Sequence, residues 1–109
     1  MTTKRQLILT SEGLSMKADG AIVFQFRWAD VSRIETYKWD LFATDLICLG
    51  FTVDSKQVTY EVDEEMSGFS ELRDSMRSHF PSIPEDWWGV VAQPPFATNL
   101  RLLYERTAA

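Results

Sequence analysis

Cysteine and histidine are nearly absent: the 109 residues hold one of each, Cys48 and His79. A lone thiol forms no internal disulfide, and its neighbours Ile47 and Leu49 give Cys48 the character of a small buried hydrophobe. With no basic residue beside it to lower its pKa, a thiolate nucleophile is not expected. His79 is the only imidazole available to a Cys-His or Ser-His pair. Its place before Phe80, at the end of a helical stretch, suits a surface imidazolium facing the negative end of the helix dipole. Long apolar runs are missing too. Leu46 to Phe51 falls far short of the roughly 20 residues of a membrane span. Only Gln6 to Leu9 separate Lys4-Arg5 from polar Thr10-Ser11, too few for the apolar region of a signal peptide, so a cytoplasmic location is the expectation.

Positive charge is in deficit. Lys plus Arg number 11 against 16 Asp plus Glu, a formal charge of −5, so the long-range field repels phosphate backbones and anionic headgroups. Nucleic acid is not an expected partner. Residues 1–62 carry seven basic and eight acidic side chains, residues 63–109 four and eight. This acidic C-terminal part suits a basic protein partner, or serves solubility alone. Also missing are a Gly-rich phosphate loop, zinc-ligand spacing and a dinucleotide fingerprint. Carboxylates do cluster, in Asp63-Glu64-Glu65, Glu85-Asp86 and the Asp40/Asp45 pair. The first two read as helix starts and the third as the flanks of a loop. The expectation is a non-enzyme with no metal and no cofactor.

What is plentiful is apolar and aromatic bulk: 45% apolar residues, with seven Phe, four Trp and three Tyr. That concentrates buried area into few side chains and suits one compact domain. From Gln6 to Val62 the hydrophobic period is two, broken by short polar turns, which predicts a meander of six antiparallel strands. Leu7 to Thr10 is the first; Leu14, Met16 and Ala18 mark the second. Asp19-Gly20 is a two-residue hairpin signal, because both turn positions need positive φ. The returning strand places Ile22, Phe24, Phe26 and Trp28 on one face. After a turn or bulge at Ala29-Asp30 come Ile34 to Lys38, then Leu46 to Val53, apolar on both faces and so central. Val58, Tyr60 and Val62 mark the sixth.

Beyond Asp63 the period becomes helical, with Met66, Phe69, Leu72, Met76 and Phe80 on one stripe, Ser67 as a cap and Pro81 as the stop. Pro84 opens a second short helix through Trp87, Trp88, Val90 and Val91, ended by Pro94-Pro95. Leu100, Leu102 and Tyr104 alternate in the tail, as a last strand or an extended segment.

Six meandering strands and an amphipathic helix, with Thr10-Ser11-Glu12-Gly13-Leu14 and Phe26-Arg27-Trp28-Ala29-Asp30-Val31-Ser32-Arg33-Ile34, resemble small bacterial pleckstrin-homology-like (PH-like) and GRAM-like domains and their "EGL … W-x-D-I-x-x-I" pattern. The resemblance covers residues 7–80. It implies an α+β fold: a PH-like barrel of antiparallel meander strands capped by the helix, with residues 81–109 a Trp-rich C-terminal extension packed on a single domain. Between Leu7 and Phe26 the only basic residue is Lys17, so the basic hairpin of phosphoinositide-binding relatives is missing.

Two sets of residues stand out as partner-binding candidates. Between strands, where a turn should be polar, Trp39-Asp40-Leu41-Phe42 carries three large apolar side chains, which either anchor an interface or fold over an open end of the barrel. Adjacent Trp87 and Trp88 point about 100° apart on a helix, so both bury only if that helix lies in a groove or meets a partner. Pro94-Pro95 would present Phe96 as a fixed hook. The reading is a non-catalytic protein-binding or adaptor module, an immunity-type protein being one specific case, with a partner surface built from Trp39, Leu41, Phe42, Trp88 and Phe96; Trp39 and Phe42 supply anchor area, and Asp40, Glu85 and Asp86 orient a basic partner. A small-molecule or lipid binder using the interior near Phe26 and Phe51 is the alternative. Self-association through a strand edge into a homodimer is a third.

Overall fold

A computed structural model describes residues 4–40, 45–54, 57–92 and 100–106. Strands β1 (Arg5–Leu9), β2 (Gly13–Ala18) and β3 (Ala21–Arg27) form one antiparallel sheet in the order β1-β2-β3. Strands β4 (Val31–Asp40), β5 (Asp45–Val53), β6 (Val58–Asp63) and β7 (Arg101–Glu105) form a second, in the order β6-β5-β4-β7. Helices α1 (Phe69–His79) and α2 (Trp87–Ala92) complete an α+β fold. Among the described residues no ladder joins the two sheets, so they do not close into a barrel.

The turns follow their residues. Thr10 Oγ1 accepts bonds from the Glu12 and Gly13 amides at 3.2 and 3.1 Å, closing β1 onto β2. Gly13 has no substitute there, because a Cβ would sit 2.2 Å from the Phe26 carbonyl oxygen. Asp19 and Gly20 both take positive φ, 51° and 87°, as the Asp-Gly hairpin demands. A 3-10 turn over Trp28–Asp30 links the sheets, and the Trp28 indole N–H donates to the Thr10 carbonyl at 3.1 Å.

β3 departs from the simple alternation. Met16 pairs with Phe24 but Lys17 with Ile22, so Val23 is the extra residue of a bulge. One inserted residue reverses the face of everything beyond it. Ile22 therefore lies exposed instead of joining Phe24, Phe26 and Trp28.

The helix α1 begins at Phe69, three residues later than Met66, and Ser67 does not cap it. Ser67 pairs with β1 instead: its carbonyl accepts from the Leu7 amide at 2.7 Å and its amide donates to the Arg5 carbonyl at 3.1 Å. Gly68 makes the swing into the helix with φ of 92°, where a Cβ would be 2.6 Å from the Leu7 carbonyl oxygen. Phe69, Leu72 and Met76 then enter the core between the sheets, with Phe51, Phe26 and Trp28. The tail alternation resolves as a true strand, β7, paired antiparallel with β4. Just past it, the Arg106 amide donates to the Ser32 carbonyl at 2.8 Å. Its guanidinium reaches the carbonyls of Ala29 and Val31 and the Asp54 carboxylate, the last at 2.7 Å.

Candidate functional site

Along β4 the alternation sends Ile34, Thr36 and Lys38 into the core and leaves Glu35, Tyr37 and Trp39 on the opposite face. Trp39 is 53% exposed. Register places Tyr37 opposite Cys48 of β5, and Gly50 opposite Glu61 of β6. Gly50 has no side chain to stand between β4 and β6, and its missing Cβ would lie 3.6 Å from the Tyr37 Cε1 and hydroxyl. The Tyr37 ring therefore leans across β5 and its hydroxyl donates to Glu61. The Trp39 Nε1–H points at the same Glu61 Oε2 over a longer 3.4 Å, and the two rings meet edge to face at 6.2 Å. Burial, then the hydrogen bond and charge of Glu61, hold the Tyr37 hydroxyl well above its ordinary pKa, so it stays a donor.

The other sequence candidates fall elsewhere. Asp40 pairs through its backbone with Asp45 at the end of the hairpin. Leu41, Phe42 and Phe96, and the Asp40 side chain, lie outside the described residues. Trp87 is core, whereas Trp88 is half-buried, 5.8 Å from the Phe69 ring with the Arg73 guanidinium 4.9 Å above it. Glu85 and Asp86 are exposed in the turn before α2. Among the described residues no hydrogen bond or ring contact joins the Trp39 set to the Trp88 set.

The carboxylates divide differently from the sequence expectation. Asp63 is not a helix-start residue but the buried end of β6, held by Arg5 through two bonds of 2.7 and 3.1 Å and accepting the Glu65 amide at 3.0 Å. Asp45 is an ion-pair partner of Lys38 at 3.4 Å, and Lys38 is only 2% exposed. The signal for this pair was available in the parity of Ile34, Thr36 and Lys38, which put a lysine on the apolar side of β4. Glu61 was missed because alternation shows only that it faces outward; its meeting with Tyr37 depends on Gly50 and on strand order.

The Cys48 thiol is not activated. Cys48 is buried, and burial followed by the nearby Glu61, Asp63 and Glu64 charges pushes its thiol up to about 12. His79 is not a solvated imidazolium: it stacks on Trp28 at 4.4 Å, and burial lowers its pKa from 6.5. The unfolded chain thus binds this proton between the folded value and about 6.5, where the folded chain does not. The resulting stability is present in full above that window and is lost as pH falls through it. Wild type should therefore lose urea stability relative to His79→Gln between pH 7.5 and pH 5.5; parallel losses in the two proteins would contradict a pKa lowered by the partial burial against Trp28.

Compared with family models, with curated proteins and with solved structures, the chain matches none. Its site is therefore read from its own geometry. A separate cleft of about 420 Å³ lies where β2 and β3 approach β5 and β6, lined by Glu12, Ser15, Phe26, Arg27, Asp30 and Tyr60. Phe51 is fully buried and does not line it.

Proposed function

We propose that this chain is a PH-like domain acting as a non-catalytic protein-binding module, and that its partner docks on the outer face of the four-stranded sheet around Trp39. The observation that carries the reading is an indole over half exposed yet already ordered, by the Tyr37 ring and by Glu61. An aromatic fixed before binding adds contact area at little cost in side-chain entropy, which is the property of interface anchors. Two packed antiparallel sheets followed by a helix support the PH-like part of the proposal. An adaptor or immunity-type protein in the cytoplasm is its specific form.

Affinity capture from source-organism lysate tests this. The wild-type domain retains one partner and Trp39→Ala releases it, while urea unfolding of the variant stays within about 1 kcal/mol because the ring faces away from the core. Retention by both proteins removes the reading. The cleft beside Phe26 supports the second reading, a small-molecule ligand with an apolar part against Phe26 and Tyr60 and polar groups toward Glu12, Arg27 and Asp30. In that case Phe26→Leu would weaken a fluorescent apolar probe and Trp39→Ala would not.

A further inference from the structure

The two donors at Glu61 both fall on Oε2, and among the described residues Oε1 takes no hydrogen bond and no Lys or Arg lies within ion-pair distance. Among the described residues, neighbouring charges pair with one another instead: Arg33 with Glu35 at 3.2 Å and Glu105 at 3.4 Å, and Arg5 with Asp63. Glu61 is thus an exposed carboxylate steadied by neutral X–H groups, beside the open face of an indole. Elsewhere the same molecule shows what such a pairing holds. The guanidinium of Arg73 lies 4.9 Å over the Trp88 ring while its Nε contacts the Asp74 carboxylate at 3.3 Å. Indole and carboxylate together clamp a planar cation from above and from the side.

We infer that the Trp39/Glu61 corner is a docking point for an arginine side chain of the partner protein, stacked on the Trp39 ring with an N–H directed to Glu61 Oε1. The inference rests on the interface reading and names its chemistry. Arginine is favoured over lysine because its plane fits the indole face and it is more weakly hydrated than an ammonium. The chain's formal charge of −5 steers such a side chain toward the surface.

The test is a titration of the ¹⁵N-labelled full chain with a tetra-arginine peptide, following the Trp39 indole N–H and the Glu61 and Gly50 amides. Tetra-citrulline is the neutral isostere and tetra-lysine the second cation. Expected are a saturable shift of these resonances with tetra-arginine, weaker binding of tetra-lysine, no shift with tetra-citrulline, and weakening as salt is raised. Glu61→Gln should weaken arginine binding about tenfold, the scale of a lost charge-assisted bond, and Trp39→Leu should weaken it as read on the Gly50 amide. Equal shifts with tetra-citrulline, or a titration unchanged in Glu61→Gln, would overturn the inference. If a captured partner is lost by Trp39→Ala but kept by Glu61→Gln, the arginine contact is wrong and the interface stands. If the peptide behaves as expected while a captured partner ignores Trp39→Ala, the cation site stands and the interface reading falls.

Discussion

Lys38→Ala is expected to lose about 3 kcal/mol of folding stability, from the lost packing of a buried side chain together with the broken ion pair to Asp45. Lys38 is 2% exposed and its Nζ lies 3.4 Å from Asp45 Oδ2, across the hairpin between β4 and β5. Both groups sit beside the connection that closes that hairpin, and Lys38 is buried, so removing either takes from the other an ion-pair partner that solvent replaces poorly. Asp45→Ala should therefore cost a similar amount. The decisive comparison is the double variant Lys38→Met/Asp45→Leu, which removes both charges and keeps apolar volume. It should fall within about 1 kcal/mol of wild type or exceed it, because the attraction between buried ions only about repays their desolvation. Urea denaturation of the four proteins checks this, and a double variant as unstable as either single would mean that the pair has a positive structural role.

Phe51→Ala is the second large effect, a loss of about 3–5 kcal/mol and a fall in Tm of more than about 10 °C. Its ring is fully buried, 5.3 Å from Phe26 and 6.3 Å from Trp28, where residues from both sheets meet. Neighbouring aromatics are too large to collapse into the space, so the transfer term and the cavity term add. Calorimetry on Phe51→Ala and Trp39→Ala side by side should separate core from surface: a large drop for the first and a small one for the second. A drop of less than about 1 kcal/mol for Phe51→Ala would contradict its central place.

The legible parts of the fold are those settled by neighbouring residues. Asp19-Gly20 codes its own hairpin, Leu46 to Val53 reads as a doubly covered strand, and the stripe from Phe69 to Met76 reads as a helix face. The parts that escaped depend on residues distant in the chain. Val23 bulges because of how β3 sits on β2, and this turns Ile22 outward against a perfect local alternation. Ser67 has a good capping side chain, yet its backbone bonds to β1 and Gly68 makes the turn into α1. His79 has the position of a dipole-facing imidazolium until Trp28 arrives from another element to cover it.

The candidate site was half visible. Trp39 stands out in the sequence as an aromatic in an expected polar connection; it lies instead within β4, paired with Leu46, where strand alternation turns it to the exposed face. Its carboxylate companion was not visible, because Glu61 reaches Tyr37 and Trp39 only across the glycine of an intervening strand. Trp88 shows the converse: an adjacent tryptophan pair is conspicuous in the sequence, yet Phe69 and Arg73 of the same chain already pack against its ring.

The pairing of β7 with β4 also sets a folding order. β4 and β5 form a hairpin from nearby residues, whereas the β4–β7 ladder joins the early part of the chain to Arg101–Glu105. Closing so long a loop is slow relative to zipping a hairpin. During synthesis β4 therefore emerges with one edge unpaired and stays so until the tail docks and Arg106 fastens it to the turn at Ala29 to Ser32. In that interval the β4 edge is open to pairing with another strand, and the docking of β7 closes it.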